Sequence, residues 1–352
     1  MHVQINAELL SKDLKNVAYI VSKLKQDSEL SSILLQTSNE SLVVTLSNEH
    51  DKAIITLPCV VLQQGECFVT AHKFIGVVQS FSQTIELMLS NSSLIVQQDK
   101  VKIKLPVVAS NPLCSVFSNV TFAEKFTIDG SVLDDMVSTV APFADVDANS
   151  VISGINMSIK ESCLRIQACH NAAMAIATRR CDSSQSKQLD ITLKTETMQA
   201  ISKLFSNEDI EVGVVSSIVC FIGHSCVLYT RAIYGAYPPI ENIIENDIIC
   251  DSRISRQLFE KCLRRVLIVK TLCKRLNTSI ANQIMTVNYE QSLTEKLPVA
   301  QQGQDIRFSV NYEYLLTVLR VLNTSTLNLR ITSTSKLQFV DDNNIIIISP
   351  LC

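Results

Sequence analysis

The side chains best able to bind a metal or act as a nucleophile are five histidines (His2, His50, His72, His170, His224) and twelve cysteines. None is spaced for a ligand set: there is no HxxxH or HExxH pattern and no CxxC pair. Cys169 and His170 are chain neighbours, and adjacent side chains on a strand point to opposite faces, so they do not converge on one ion. No metal and no cofactor is expected. Phosphate-cradling loops of the GxGxxG or GxxxxGK[ST] kind are missing, and 8 glycines leave little to build one. Asp134-Asp135 and Asp341-Asp342 are adjacent pairs that read as turns or caps rather than as an acid/base couple. The chemistry left open is nucleophilic, with Cys169 served by His170 or His224.

Charge is the stronger signal. The chain is acidic overall, at −3. Between Asp251 and Arg275, however, lie Arg253, Arg256, Lys261, Arg264, Arg265, Lys270, Lys274 and Arg275 against two acids, a local net of +6. At helical spacing Arg253, Arg256, Lys261 and Arg264 share an arc with Gln257 and Glu260, while Leu258, Phe259, Cys262, Leu263 and Val266 cover the other. One face packs, and the other meets water or a polyanion. Lys12, Lys15, Lys23 and Lys25 along the first helix, and His72-Lys73 in the next, add smaller positive patches. Lysine and arginine contacts to phosphate give affinity without reading base sequence. With no tryptophan, an aromatic groove for single strands is not expected.

The elements that must position these residues follow from periodicity. The chain has 352 residues, of which 47% are apolar and 18% charged, enough for two or three packed domains and unlike a disordered chain. The opening MHVQINAELLSKDLK has no uninterrupted apolar stretch, and Ile345 to Ile348 is far too short to cross a membrane, so a cytoplasmic protein is expected. Leu42 to Leu46, Val101 to Leu105 and Leu327 to Ile331 alternate as half-buried antiparallel strands do. Leu10, Leu14, Val17, Val21 and Leu24 form a helical stripe, and Thr70 to Phe81 a second with Phe74, Val77, Val78 and Phe81. That strand-into-helix junction recurs before Met198, Ile201 and Phe205, and before Leu315, Val318, Leu319 and Leu322. The first stripe residues, Phe74, Met198 and Leu315, lie 124 and 117 residues apart. Further helices at Ser131 to Ala141 and Ile254 to Val269 keep step. Three similar α+β units fit this order; three junctions in one large enzyme also would.

In order and spacing the pieces resemble one family, the bacterial sliding clamp, beta subunit of the replicative DNA polymerase. The resemblance runs from Met1-His2-Val3-Gln4-Ile5 and Ile33-Leu34-Leu35-Gln36 through Val69-Thr70-Ala71-His72-Lys73-Phe74. It continues in Phe126-Thr127-Ile128, Ser153-Gly154-Ile155 and Arg231 to Pro238, and ends in Phe308 to Leu322 and Ile345 to Cys352. It implies an α+β chain of three tandem clamp domains, 1–121, 122–245 and 246–352. Two copies would join as a ring-forming homodimer with helices inside and antiparallel sheets outside. Such a protein is no enzyme. It is a processivity factor that encircles double-stranded DNA without sequence preference and tethers polymerase and clamp loader. A clamp-fold assembly protein without a DNA role is the alternative within the same fold.

The resemblance also implies site residues. Lys23, Lys25, Lys73, Arg253, Arg256, Lys261 and Arg264 would face DNA. A hydrophobic pocket for a partner's short peptide would comprise Ile152, Cys169, Asn171, Ala172, Ala173, Met174, Pro238, Ile243, Ile347, Ser349, Pro350 and Leu351. Departures fall on these sites. The family's T-D-G-H-R-L is Cys169 to Met174 here, and its terminal M-P-M-R is Ser349 to Cys352, which removes a His, cations and flexible methionines from the rim. Leu24, Ser150-Val151 and Thr195-Glu196 replace an Arg, a Tyr pair and Arg-Lys. A partner peptide divergent from the usual motif, and an uneven grip on DNA, are expected.

Overall fold

A computed structural model describes residues 1–22, 29–117, 120–122, 125–145, 150–181 and 188–351. The element order runs three times. Each third has a strand, a helical segment, four strands, a second helix and three strands, and the first third inserts one extra strand, Val60–Gln63. The helices are α1 (Ala7–Val17), α2 (Tyr19–Ser22), α3 (Ala71–Gln79), α4 (Gly130–Val140), α5 (Thr195–Leu204), α6 (Arg256–Val269) and α7 (Tyr312–Val321).

The first stripe breaks at Ala18 into α1 and α2, and Leu24 lies outside the described residues. Asn6 starts α1, its side chain accepting from the Leu9 N–H at 3.0 Å. Leu10, Leu14 and Val17 are fully buried, each contributing about 2 kcal/mol through removed apolar area. The second stripe is shorter than its apolar spacing predicts, ending at Gln79, with Thr70 as an N-cap that makes no side-chain bond. The basic helix begins at Arg256 after Ser255, so Ile254 and Arg253 belong to the preceding strand, Ile248–Ser255.

The chain forms two compact units. Unit 1 is Met1–Asp134 with Glu196–Ile233, and unit 2 is Asp135–Thr195 with Tyr234–Cys352. In unit 1 a 13-stranded antiparallel sheet places Cys226–Arg231 beside Asp51–Pro58, from Ile55 opposite Cys226 to Asp51 opposite Thr230. In unit 2 a 12-stranded antiparallel sheet places Ala173–Arg180 beside Asn344–Ile348, from Ala173 opposite Ile348 to Ala177 opposite Asn344. The middle third thus gives strands to both sheets. In unit 1 the α4 start needs glycine: a Cβ on Gly130 would sit 1.8 Å from the Phe205 carbonyl oxygen and 2.5 Å from that of Glu208.

Candidate partner pocket and nucleic-acid interface

An apolar cluster in unit 2 gathers around a hairpin. The strands Cys163–His170 and Ala173–Arg180 set Cys169 opposite Met174 across the Asn171-Ala172 turn, and the strand Asn344–Ile348 sets Ile347 opposite Met174 in turn. With Ile176 and Ile240 these residues are buried, and Ile152, Tyr237, Ile243, Ile244 and Ile345 pack against them half-exposed. A short 3₁₀ turn, Val151–Ser153, carries Ile152. The polar edge is made by main chain: Ser349 N–H donates to the Ala172 carbonyl at 2.8 Å, and Leu351 N–H to that of Ser309 at 2.8 Å.

Of the residues expected from sequence, Ile152, Cys169, Met174, Ile243 and Ile347 meet in this cluster. Ala173 is buried opposite Ile348, while Asn171, Ser349 and Leu351 are exposed and Ala172, Pro238 and Pro350 half-exposed. Ile176, Tyr237, Ile240, Ile244 and Ile345 were not anticipated. The period-2 rule could have found two of them, since Ile176 follows Met174 and Ile345 precedes Ile347 on the same strand faces.

The polar atoms here do not form a catalytic set. The Tyr237 hydroxyl donates to Cys169 Sγ at 3.4 Å. Burial pushes the Cys169 thiol up, and the Tyr237 bond only partly offsets it. Burial, together with the thiol beside it, likewise pushes Tyr237 up. His170 turns to other partners: its Nδ1 lies 3.2 Å from the Tyr314 hydroxyl and accepts from the Ala172 N–H at 3.4 Å. A nucleophilic cysteine needs a depressed pKa and an adjacent base, and Cys169 is shifted the opposite way. Burial also raises Cys67 to about 11 and Cys220 and Cys262 to about 12. Among the described residues no group of three His, Cys, Asp or Glu side chains could hold a metal ion, and no helix is long and apolar enough to cross a membrane.

The basic helix packs as its pattern predicts, burying Phe259, Cys262, Leu263 and Val266. Its cations are not equivalent. Arg256 is half-buried and donates to the Leu319 and Leu322 carbonyls, at 2.6 and 3.2 Å, with Glu260 3.5 Å away. Arg264 pairs with Glu260 at 2.6 Å but stays largely exposed, and Arg265 pairs with Glu295. Lys261 is exposed and has no carboxylate partner among the described residues. Arg253 corrects the helical arc: it is exposed on a strand, between Ala300 and Asn328, on the sheet face opposite buried Ile254. The helical arc reaches three residues before the true helix start at Arg256. In unit 1, Lys73 is exposed in the first turn of α3. Lys23 and Lys25 lie outside the described residues.

No family model matches the chain. Curated relatives do. The beta sliding clamp of Buchnera aphidicola subsp. Rhopalosiphum padi is 20% identical over 361 aligned residues, covering 98% of this chain and 97% of the relative. That of Bacillus subtilis (strain 168) is 19% identical, covering 92% and 90%. Among solved structures, a DnaN sliding clamp from Pseudomonas aeruginosa superposes with a TM-score of 0.91 at 17% identity, covering 100% of this chain and 99% of that one. A putative DNA polymerase III beta subunit from Eubacterium rectale gives 0.88 at 20% identity with the same coverage. The chain thus has the fold of the beta sliding clamps over its full length, and its sequence is similar to theirs at about one residue in five.

Proposed function

We propose that two copies of this chain close head-to-tail into a ring around double-stranded DNA and serve as a polymerase processivity factor, doing no covalent chemistry themselves. Each copy is read as three domains, 1–121, 122–245 and 246–352. The observation that carries this reading is a pair of unfilled strand edges. Twice in the chain, the third strand after a domain's first helix pairs with the last strand of the next domain: Asp51–Pro58 with Cys226–Arg231, and Ala173–Arg180 with Asn344–Ile348. Among the described residues the third such strand, Leu293–Gly303, has along residues 293–298 a neighbour on one side only, Ile284–Tyr289. The last strand of the first domain, Val101–Val108, has along residues 101–106 only Ser93–Gln98 among the described residues. An open strand edge seeks a partner, and a second copy supplies the matching one.

Exposed apolar residues flank both edges. Arg265 ties α6 to Glu295, and three residues on, Ile268 is 82% exposed, with Leu272 fully so. Val101, on the other edge, is 53% exposed. These are large apolar side chains left out of a monomer's core.

The charge pattern suits a threaded polyanion: an acidic total discourages DNA from wrapping the outside, and the cations on α6 attract it diffusely. Lys73, Lys261 and Arg264 are the assigned phosphate contacts, with Arg256 acting mainly within the protein. The apolar cluster around Cys169, Met174 and Ile347 is assigned as the dock for polymerase and loader peptides, with the 349–351 tail and the Asn171-Ala172 turn as its rim.

Retention on DNA is the test. After loading onto a nicked circle, the protein should co-elute with the circle in gel filtration and be released when the circle is linearised. Equal retention on circular and linear DNA, or none on either, overturns the reading.

A further inference from the structure

The two internal joints of this chain have the same register. Residue 1 of the upstream strand faces residue 5 of the downstream one: Asp51 faces Thr230, and Ala173 faces Ile348. Residue 5 faces residue 1: Ile55 faces Cys226, and Ala177 faces Asn344. Applied to the joint between copies, the rule sets Leu293 opposite Leu105 and Leu297 opposite Val101 of the second copy. Lys296 then lies opposite Lys102, and Thr294 opposite Lys104.

We infer that the joint between copies is held against like-charge repulsion, with Lys296 of one copy facing Lys102 and Lys104 of the other, so that the ring is weakest at low ionic strength and is strengthened by salt. This rests on the head-to-tail reading above. Directly opposite residues share a sheet face with Cβ atoms about 5 Å apart, and diagonal ones remain within reach of long side chains. All three lysines are exposed, as their alternation with half-buried or buried Ile103, Leu105, Glu295 and Leu297 requires.

Among the described residues, the side chains paired beside the lysines on that face leave the repulsion uncompensated. Lys102 is flanked across its own sheet by Gln97, and Lys104 by Ile95; Lys296 is flanked by Thr286, and Thr294 by Asn288. The carboxylate in the Lys102 row is Glu86, one strand beyond Gln97 and already engaged by Gln4 at 2.8 Å and His2 at 3.7 Å. Glu295 lies on the opposite face, facing Ile103 in this register and paired with Arg265. Apolar burial of Val101 and Leu293, which are still accessible within one copy, favours closure, and the lysines oppose it. Salt screens the second effect with a decay length of about 10 Å at 0.1 M and leaves the first intact.

Dimer dissociation constants of the full chain, measured by sedimentation across dilution at about 0.05 M and about 0.5 M sodium chloride, test this. The expected result is tighter dimerisation in the higher salt. Lys296→Glu should tighten the low-salt dimer by about fivefold per joint, entering twice because a two-copy ring has two joints, and should reverse the salt dependence. Lys102→Glu should act alike. The double variant should lose the gain, because two carboxylates then face each other, and that non-additivity marks direct juxtaposition. A dimer that weakens with salt and ignores both single changes overturns the like-charge joint while leaving the ring in place. A chain that stays monomeric at every concentration and salt overturns the ring and this inference with it.

Discussion

The guanidinium of Arg256 donates to the main-chain oxygen of Leu319 at 2.6 Å, so the first residue of α6 closes the last turn of α7. Carbonyls at a helix C-terminus lack intrahelical partners, and a cation there satisfies them and complements the helix dipole. A residue that looks like a DNA contact by charge is therefore also part of the scaffold.

Arg256→Ala should lower folding stability by about 1.5 to 3 kcal/mol, the range for a hydrogen bond from a charged donor. Lys261→Glu, on the same helix but exposed, should leave denaturant unfolding unchanged while weakening retention on circular DNA and flattening its salt dependence. Equal stability of the two variants would remove the structural role given to Arg256.

Ile268→Asp should convert a dimer into monomers without unfolding the chain, because the side chain is 82% exposed within one copy. Light scattering reads the mass, and circular dichroism the fold. A variant that remains dimeric would show that α6 does not border the joint.

Glu245 should make the pocket acid-sensitive. Its carboxylate accepts from Lys336 Nζ at 2.5 Å and from the Thr334 hydroxyl at 2.6 Å, while its carbonyl accepts from Gln338 at 3.0 Å, pinning the segment that carries Ile243 and Ile244. The Lys336 bond and then the Thr334 bond hold the carboxyl at about 2, below its ordinary 4.5. A depressed carboxylate stabilises the fold fully above its unfolded value, and that stabilisation disappears as pH falls from about 4.5 towards about 2. Glu245→Gln should therefore flatten stability against pH in that window, in urea titrations run at several pH values. An unchanged acid limb would mean the carboxylate does not hold the segment.

Cys169 should react sluggishly. Its thiol, raised by burial, ought to be alkylated by iodoacetamide at pH 8 at least about tenfold more slowly in the folded protein than in urea. Fast labelling of the native chain would reopen a nucleophilic role.

Periodicity carried much of this molecule. Three strand-into-helix junctions, the apolar stripe of α6 and the alternation of Leu42 to Leu46 are local patterns, visible because each depends on residues a few positions apart. What escaped depends on distant partners. Arg253 continues the helical arc by spacing but is held by main-chain pairing to Ala300 and Asn328. Whether Arg256 meets phosphate or the Leu319 carbonyl is decided by a helix that follows about sixty residues later. Tyr237 reaches the apolar cluster from irregular backbone and Ile240 from a single 3₁₀ turn, Ile240–Ile243, both too short to show a period.

The ladders that join Asp51–Pro58 to Cys226–Arg231, and Ala173–Arg180 to Asn344–Ile348, are made of peptide groups, which every residue but proline presents alike. A seam stitched from the main chain is nearly blind to which side chains hang from it, provided inward ones remain greasy. Mutational drift can thus rewrite most of the letters while the architecture keeps its outline, and the places where drift does alter behaviour are rims and facing charges rather than seams.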